Sequence, residues 1–269
     1  MNRLNVRSRP GRPSRTGRRT AGGGGGGGGF SPSSIDDLSL WLDASDASTI
    51  AATGSAVDTW TDKSPTGTVF EDYGTAPQTG VRSINGLNAM NFNANGAFRP
   101  TTAVRINNAS NGTWTIFAVV VVDAFQGRGI VDQDNGSNRI AQYLNTQNGT
   151  APKSVGSVSF ATNGDIKHDN GPAFATTTPV IVHSLRETAT IEAFLNGTGD
   201  GALVPTASNR TASDTNLRIG SGWGGSGSDN FYLDGLIGEI AGYARALDAE
   251  EVTAVLEHLA AKWGITLPS

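Results

Sequence analysis

The stretch Trp114-Thr115-Ile116-Phe117-Ala118-Val119-Val120-Val121-Val122 decides how the rest of the chain is read. All nine consecutive residues are apolar, aromatic or β-branched, and Thr115 alone is polar. The run is far short of the roughly 20 residues that cross a bilayer as a helix. Its β-branched and aromatic content suits a central strand. Outward from it, Pro179 to Leu185 and Thr190 to Leu195 form two further strand candidates around Glu187-Thr188, which predicts a hairpin. Asn216 to Gly220 and Gly235 to Tyr243 continue the pattern. In the last segment Leu236, Gly238, Ile240 and Gly242 alternate with Ile237, Glu239, Ala241 and Tyr243. Small residues on one face of such a strand predict the close approach of another layer.

Short strands separated by Gly, Asn, Ser and Thr point to an all-β, two-sheet antiparallel sandwich. No internal period of 20–50 residues, the mark of propellers and solenoids, recurs. One helix interrupts the pattern. Asp248 is its N-cap candidate, and Glu251 three residues on completes a capping box. Val252, Val255, Leu256 and Leu259 keep the spacing of one buried face. Lys262 suits the C-terminal turn, and Gly264 can take the left-handed position after it. The helix is expected to pack on the sandwich rim and close the domain.

Composition sets the outer bounds. The chain has 269 residues, no cysteine, 36 glycines and a net charge of −4. Without cysteine there is no disulfide framework, thiolate metal site or thiol nucleophile. No apolar run reaches membrane-spanning length, and no secretory pattern precedes the body, so neither an anchor nor classical export is expected. The net charge hides an asymmetry. Arg3, Arg7, Arg9, Arg12, Arg15, Arg18 and Arg19 fall within residues 1–19, which hold no acid. Removing that +7 from −4 leaves −11 for the rest.

The organisation is therefore an Arg-rich arm over residues 1–21, a poly-Gly/Ser linker over 22–34, and a body over 35–269. Pro10 and Pro13 exclude a continuous helix in the arm. Its shortage of apolar residues leaves it unable to order on its own. The run Gly22 to Gly29 reads as a flexible tether, spanning roughly 15–17 Å on average. Seven guanidinium groups suit phosphates or an acidic protein surface. A docking peptide on another protein is favoured over a plain solubilising tail. Nucleic acid ranks below both, because no aromatic residue interleaves the arginines to stack on bases.

Leu40-Trp41-Leu42-Asp43-Ala44-Ser45-Asp46, then Val57, Trp60 and Asp62-Lys63-Ser64, resemble the opening of laminin-G-like, concanavalin-A-like domains common in bacteriophage structural proteins. The ending carries the resemblance more strongly: Asn196-Gly197, Arg218-Ile219-Gly220, Gly235 to Tyr243, Arg245-Ala246-Leu247, and a helix ending Ala261-Lys262-Trp263-Gly264-Ile265. It spans about residues 38–265. Ser64-Pro65-Thr66-Gly67 departs from the pattern and is expected to alter a turn while leaving the fold intact. The resemblance implies a jelly-roll sandwich whose members bind glycans, bind proteins or serve as virion modules; fold alone does not choose among these.

Residue chemistry narrows the choice. Glycoside hydrolysis needs two carboxylates held together, and some jelly-roll hydrolases carry Glu-x-Asp-x-x-Glu on a strand. Glu239 is the nearest candidate, but Ala241 and Ala244 occupy the partner positions, so no enzyme is expected. No Gly-x-Ser-x-Gly elbow surrounds a serine. His168, His183 and His258 form no metal spacing, and His183 reads as a packed or surface residue. Asp132 and Asp134, in Asp132-Gln133-Asp134-Asn135-Gly136, are the candidate calcium ligands, with a polar β-turn the favoured reading. Asp43 and Asp46 read as turn braces. Trp223, in the Gly-rich segment 220–227, is the most loop-like tryptophan, and Phe231 and Tyr232 follow it; these three are the candidate glycan contacts. Trp41, Trp60, Trp114 and Trp263 are core candidates.

Taken with the resemblance, the expectation is a non-enzymatic virion protein of a tailed phage, a capsid decoration or head-fibre protein. Its arm docks on a major capsid or other virion protein, and its body touches host surface glycans. The alternative is a tail-associated or cell-surface lectin module. No membrane partner is expected, and a homo-oligomer fits the symmetry of virion fibres.

Overall fold

The structure, a computed structural model, describes residues 29–269 except 111, 125–127, 135–138, 146–152, 162–163, 168–173, 189, 200, 202–215 and 224–228. Its strands in chain order begin with β1 (Leu38–Asp43), β2 (Ile50–Thr53), β3 (Ala56–Thr61), β4 (Val69–Gly74), β5 (Ser83–Ile84), β6 (Leu87–Asn88) and β7 (Met90–Asn93). They continue with β8 (Gly96–Pro100), β9 (Trp114–Val122), β10 (Arg128–Asp134), β11 (Arg139–Asn145), β12 (Lys153–Ala161) and β13 (Gly164–Lys167). The last are β14 (Val180–Arg186), β15 (Ile191–Leu195), β16 (Thr198–Gly199), β17 (Leu217–Ile219), β18 (Gly222–Trp223), β19 (Asp229–Asn230) and β20 (Asp234–Tyr243), followed by helix α1 (Ala249–Trp263).

Two large antiparallel sheets face each other. One runs β1-β20-β9-β14-β15-β16, with β7 paired to the first half of β20. The other runs β13-β12-β11-β10-β17-β8-β4-β3-β2. The expected two-sheet sandwich is thus present. Leu40, Leu42, Ile116, Ala118, Val120 and Val182 of the first sheet meet Trp60, Phe70, Phe98, Val131, Ile140 and Ile219 of the second in one continuous core.

A second apolar layer explains why β9 does not alternate. The outward residues Phe117, Val119 and Val121 of β9, with Ile181 of β14 and Tyr243 of β20, pack beneath Val255, Leu256, Leu259 and Trp263 of α1. All nine residues of β9 are buried. A strand covered on both faces reads as a continuous apolar run. The helix therefore lies over the outer face of the first sheet, where a rim position was expected. Its ends follow the sequence signals. The Asp248 side chain accepts from the Glu251 N–H at 2.9 Å, and Glu251 reaches back to the Asp248 N–H. Gly264 takes the left-handed conformation at φ 63°. The Asn85 side-chain amide donates to the carbonyls of Trp263 and Gly264, which satisfies two orphan acceptors at the helix end.

The strict alternation read across Gly235 to Tyr243 is corrected by a bulge. The β20–β9 register shifts between Ile237 and Glu239. Leu236 and Gly238 face the helix layer, whereas Ile240 and Gly242 face the sandwich interior. Both glycines do admit close neighbours. A Cβ on Gly238 would sit 3.0 Å from the Trp263 ring, and one on Gly242 would sit 3.3 Å from Leu40 Cβ. The extra residue of the bulge re-aims Glu239 to the helix side.

The predicted hairpin is closed by the Glu187 N–H donating to the Thr190 carbonyl at 2.9 Å. The departure at Ser64-Pro65-Thr66-Gly67 forms a turn, closed by Gly67 N–H to the Ser64 carbonyl at 3.0 Å. The end of the linker is packed: Phe30 sits edge-on to His258 with ring centroids 5.6 Å apart, and Tyr243 Oη donates to the Pro32 carbonyl at 3.1 Å. The arm, residues 1–21, lies outside the described residues.

Candidate functional site

The aromatic residues named from sequence fall on and just after a separate two-stranded ladder, β18–β19, beside β10 of the nine-stranded sheet. Trp223 lies on β18 and pairs with Asp229 of β19, while its side chain lies outside the described residues. Phe231 follows β19 and is 48 % exposed with φ 58°. Left-handed backbone at a bulky residue is uncommon and costly. Here it is held by ladder-like bonds: Gly129 N–H donates to the Phe231 carbonyl at 2.8 Å, and Leu233 N–H to the Gly220 carbonyl at 2.8 Å. Leu233 is buried in the core, so the chain is fixed two residues beyond an exposed phenyl ring. Tyr232 is half-buried.

Register brings in two residues that the sequence did not single out. Tyr73 on β4 pairs with Ala97 on β8, and Phe98 of β8 pairs with Ile219 of β17. Gly220, bonded to Leu233, is therefore at the position facing Ala97. Tyr73 is 40 % exposed, and the Arg99 guanidinium carbon lies 3.5 Å above its ring centroid. Phe231 is bonded to β10, which lies three strand spacings of about 4.8 Å from β4 in the order β10-β17-β8-β4, and the register places Tyr73 and Phe231 toward the same end of these strands. Glu71, directly across the ladder from Arg99, is exposed beside them, while Asp72, across from the core residue Phe98, lies on the other face of the sheet.

The calcium candidates do not come together as a described site. Asp132 is fully buried within β10, in register with Arg218 of β17. The Asp134 side chain lies outside the described residues, as does His168. Among the described residues no three metal-ligating side chains cluster. His183 is packed, as expected, lying between the rings of Phe117 and Phe194 at centroid distances of 4.9 and 4.1 Å.

A second constellation joins the two ends of the resemblance. Glu239 is fully buried, and its carboxylate accepts from Trp41 Nε1 at 2.7 Å, Trp263 Nε1 at 2.9 Å and Lys262 Nζ at 2.7 Å. Lys262 also reaches Asp43 at 2.8 Å. Lys63 bridges Asp43 at 3.0 Å and Asp46 at 2.7 Å, and its ammonium lies 4.3 Å from the Trp41 ring centroid. Burial pushes the Asp43 carboxyl up, but hydrogen bonds from Lys262, Ser45 and Lys63 outweigh it and hold it below the usual range. Lys63, with its Ser48 neighbour, brings Asp46 down to about 2. Asp43 and Asp46 also brace their turns, accepting from Ser45 Oγ at 2.7 Å and Ser48 Oγ at 2.6 Å.

Asp62 completes the arrangement by accepting from the Trp41 N–H at 2.7 Å, while Lys63 N–H donates to the Trp41 carbonyl at 2.8 Å. The free edge of β1 is thereby covered, a device that blocks edge-to-edge pairing. Glu239, the nearest hydrolase candidate, is walled by two indoles and committed to three donors. The cluster is a clamp between β1, β20 and the helix end.

No protein-family model and no curated protein sequence matches the chain. Solved structures do. Domain 4 of the extracellular arabinanase AbnA from Geobacillus stearothermophilus, in complex with arabinotriose, aligns with TM-score 0.60 at 12% identity over 82% of this chain and 98% of that one. The botulinum neurotoxin serotype G binding domain aligns with TM-score 0.57 at 10% identity over 83% of this chain and 51% of that one. The binding domain of botulinum neurotoxin DC, in complex with rat synaptotagmin II, gives 0.55 at 12% identity over 83% and 52%. The chain spans about half the length of the two toxin binding domains. At these identities the likeness shows a shared β-sandwich fold.

Proposed function

We propose that the body is a non-enzymatic carbohydrate-binding β-sandwich, displayed on a tailed-phage virion by its basic arm and glycine tether. The observation that carries glycan binding is Phe231, an aromatic ring held out in solvent by a strained, bonded backbone at the rim it shares with Tyr73. Sugar C–H faces pack on such rings. Strain of this kind at an exposed residue marks functional positions. The arabinotriose in the aligned arabinanase domain supports the same reading by analogy of fold. Phe231→Ala is expected to weaken glycan binding at least tenfold while leaving the body folded, because about half of the residue is exposed. Array and melting measurements on the same preparation check this.

The display half of the proposal rests on charge. A +7 arm joined by eight glycines to a −11 body suits docking on an acidic capsid protein with the body projecting. The linker's end is seated against α1 through Phe30 and against Tyr243 of β20 through Pro32, on the sheet opposite the one bearing Tyr73. A protein anchored there presents the aromatic rim away from its support. Deleting residues 1–28 is expected to abolish particle attachment in a decoration assay without unfolding the body; full occupancy by the truncated protein would remove the arm from the account.

A further inference from the structure

We infer that the arm has a seat on its own body, the outward face of α1, which it occupies until a surface richer in acid displaces it. Arg9, Arg12, Arg15 and Arg18 recur every third residue, with Pro10 and Pro13 between them. Proline favours the polyproline II conformation, a helix of three residues per turn that rises about 3.1 Å per residue. In that form the four guanidinium groups line one face at intervals of about 9.3 Å. Glu250 and Glu257 are exposed on α1, seven residues apart. Two α-helical turns put them on one stripe, about 10.5 Å apart. Thr253 and Ala254 lie between them, so no long side chain obstructs an extended segment laid along the stripe.

Charge and chain length favour the arm as the occupant. The cations of this face are already engaged: Arg245 makes paired bonds to Glu251 at 2.6 Å, and Lys262 reaches Glu239 at 2.7 Å and Asp43 at 2.8 Å. Asp248 is exposed at the head of the helix, and Asp36 and Asp37 are exposed beside Arg245. With Glu250 and Glu257 they leave the approach to the helix acidic. The tether also ends here, where Phe30 packs on His258, the residue after Glu257. Eight glycines reach roughly 15–17 Å, enough to return Arg15 and Arg18 to the two glutamates. A short flexible linker of this kind sets an effective concentration of roughly millimolar. Exposed ion pairs are individually weak and screened by salt, so a denser acidic surface takes the arm over.

The chain has no cysteine, so Ser14→Cys carries a single nitroxide, one residue off the arginine row. Amide NMR signals of the isotope-labelled full chain are compared with the nitroxide active and reduced. The expected result at about 20 mM salt is a loss of about twofold or more confined to α1 around Glu250 and Glu257, recovered at about 0.5 M salt. Glu250→Gln with Glu257→Gln should give the same recovery, and so should Arg15→Gln with Arg18→Gln, which leaves the body untouched. A mixture of isotope-labelled protein without nitroxide and unenriched protein carrying it reads contacts between copies. Equal losses in that mixture would make a neighbouring copy's arm the occupant and overturn self-docking. Losses spread evenly over the body, or no losses at low salt, would overturn it as well. Attachment to a particle is read separately by deleting residues 1–28, so either idea can fail without the other.

Discussion

Glu239→Ala is expected to cost about 3–5 kcal/mol of stability, the range for breaking a buried ion pair from one side. The carboxylate is the common acceptor for Trp41, Trp263 and Lys262. Its removal leaves two indole N–H groups without their acceptor and transfers the whole Lys262 charge to Asp43. Each buried donor left unmade costs about 1–3 kcal/mol, although some of this is recovered as the cavity relaxes. Glu239→Gln should cost less, because its carbonyl oxygen still accepts from one indole while the charge pairing with Lys262 is lost. Urea unfolding of the three proteins checks this, with the midpoint moving and the slope unchanged. A loss under about 1 kcal/mol for Glu239→Ala would mean that β1, β20 and the helix hold together without the clamp.

The second large effect is acid sensitivity from His183. Burial lowers its pKa to about 3, and no charged partner contributes to the shift. Neither ring nitrogen has a hydrogen-bond partner among the described residues. The folded protein therefore holds the imidazole neutral, whereas the unfolded chain binds a proton near pH 6.5. The unfolded state binds more protons throughout the interval between the two values. Stability from this group is full above about pH 6.5 and is lost as the pH falls toward 3. At about 1.36 kcal/mol per pH unit, roughly 3 kcal/mol should disappear between pH 6.5 and 4. Asp43 and Asp46, whose values are depressed, add their losses lower, as the pH falls below the ordinary carboxylate range. His183→Phe places a third ring in the stack and should flatten the upper interval while leaving the lower one. Denaturant titrations at successive pH values separate them; an unchanged slope above pH 4.5 in the variant would contradict the assignment.

Elements built from near neighbours were legible in the sequence. The β14–β15 hairpin, the capping box of α1 and the left-handed Gly264 all depend on residues a few positions apart. Trp114 to Val122 was legible as a central strand, yet not as one covered on both faces, because the covering helix begins 127 residues later. The clamp was quoted piecemeal in the motifs that carry the family resemblance, but its pairing was invisible: Trp41 and Glu239 are 198 residues apart. Alternation alone put Glu239 on the face of Ile237; the bulge at Gly238 moved it to the helix side, and bulges leave only a weak mark in sequence. Phe231 stood out for its place after a Gly-rich segment. Tyr73 did not, since one tyrosine in a polar strand acquires meaning only when β8 and β17 bring it to the rim.

The central claim is that this rim binds glycan. The most direct measurement is the binding of the full chain to a broad glycan panel, run beside Phe231→Ala and Tyr73→Ala with the melting temperature of each recorded. The account predicts saturable binding by the parent protein, a loss of at least tenfold in each variant, and melting temperatures that stay close to the parent. Binding that survives both substitutions, or a parent protein that binds no member of the panel, would contradict it.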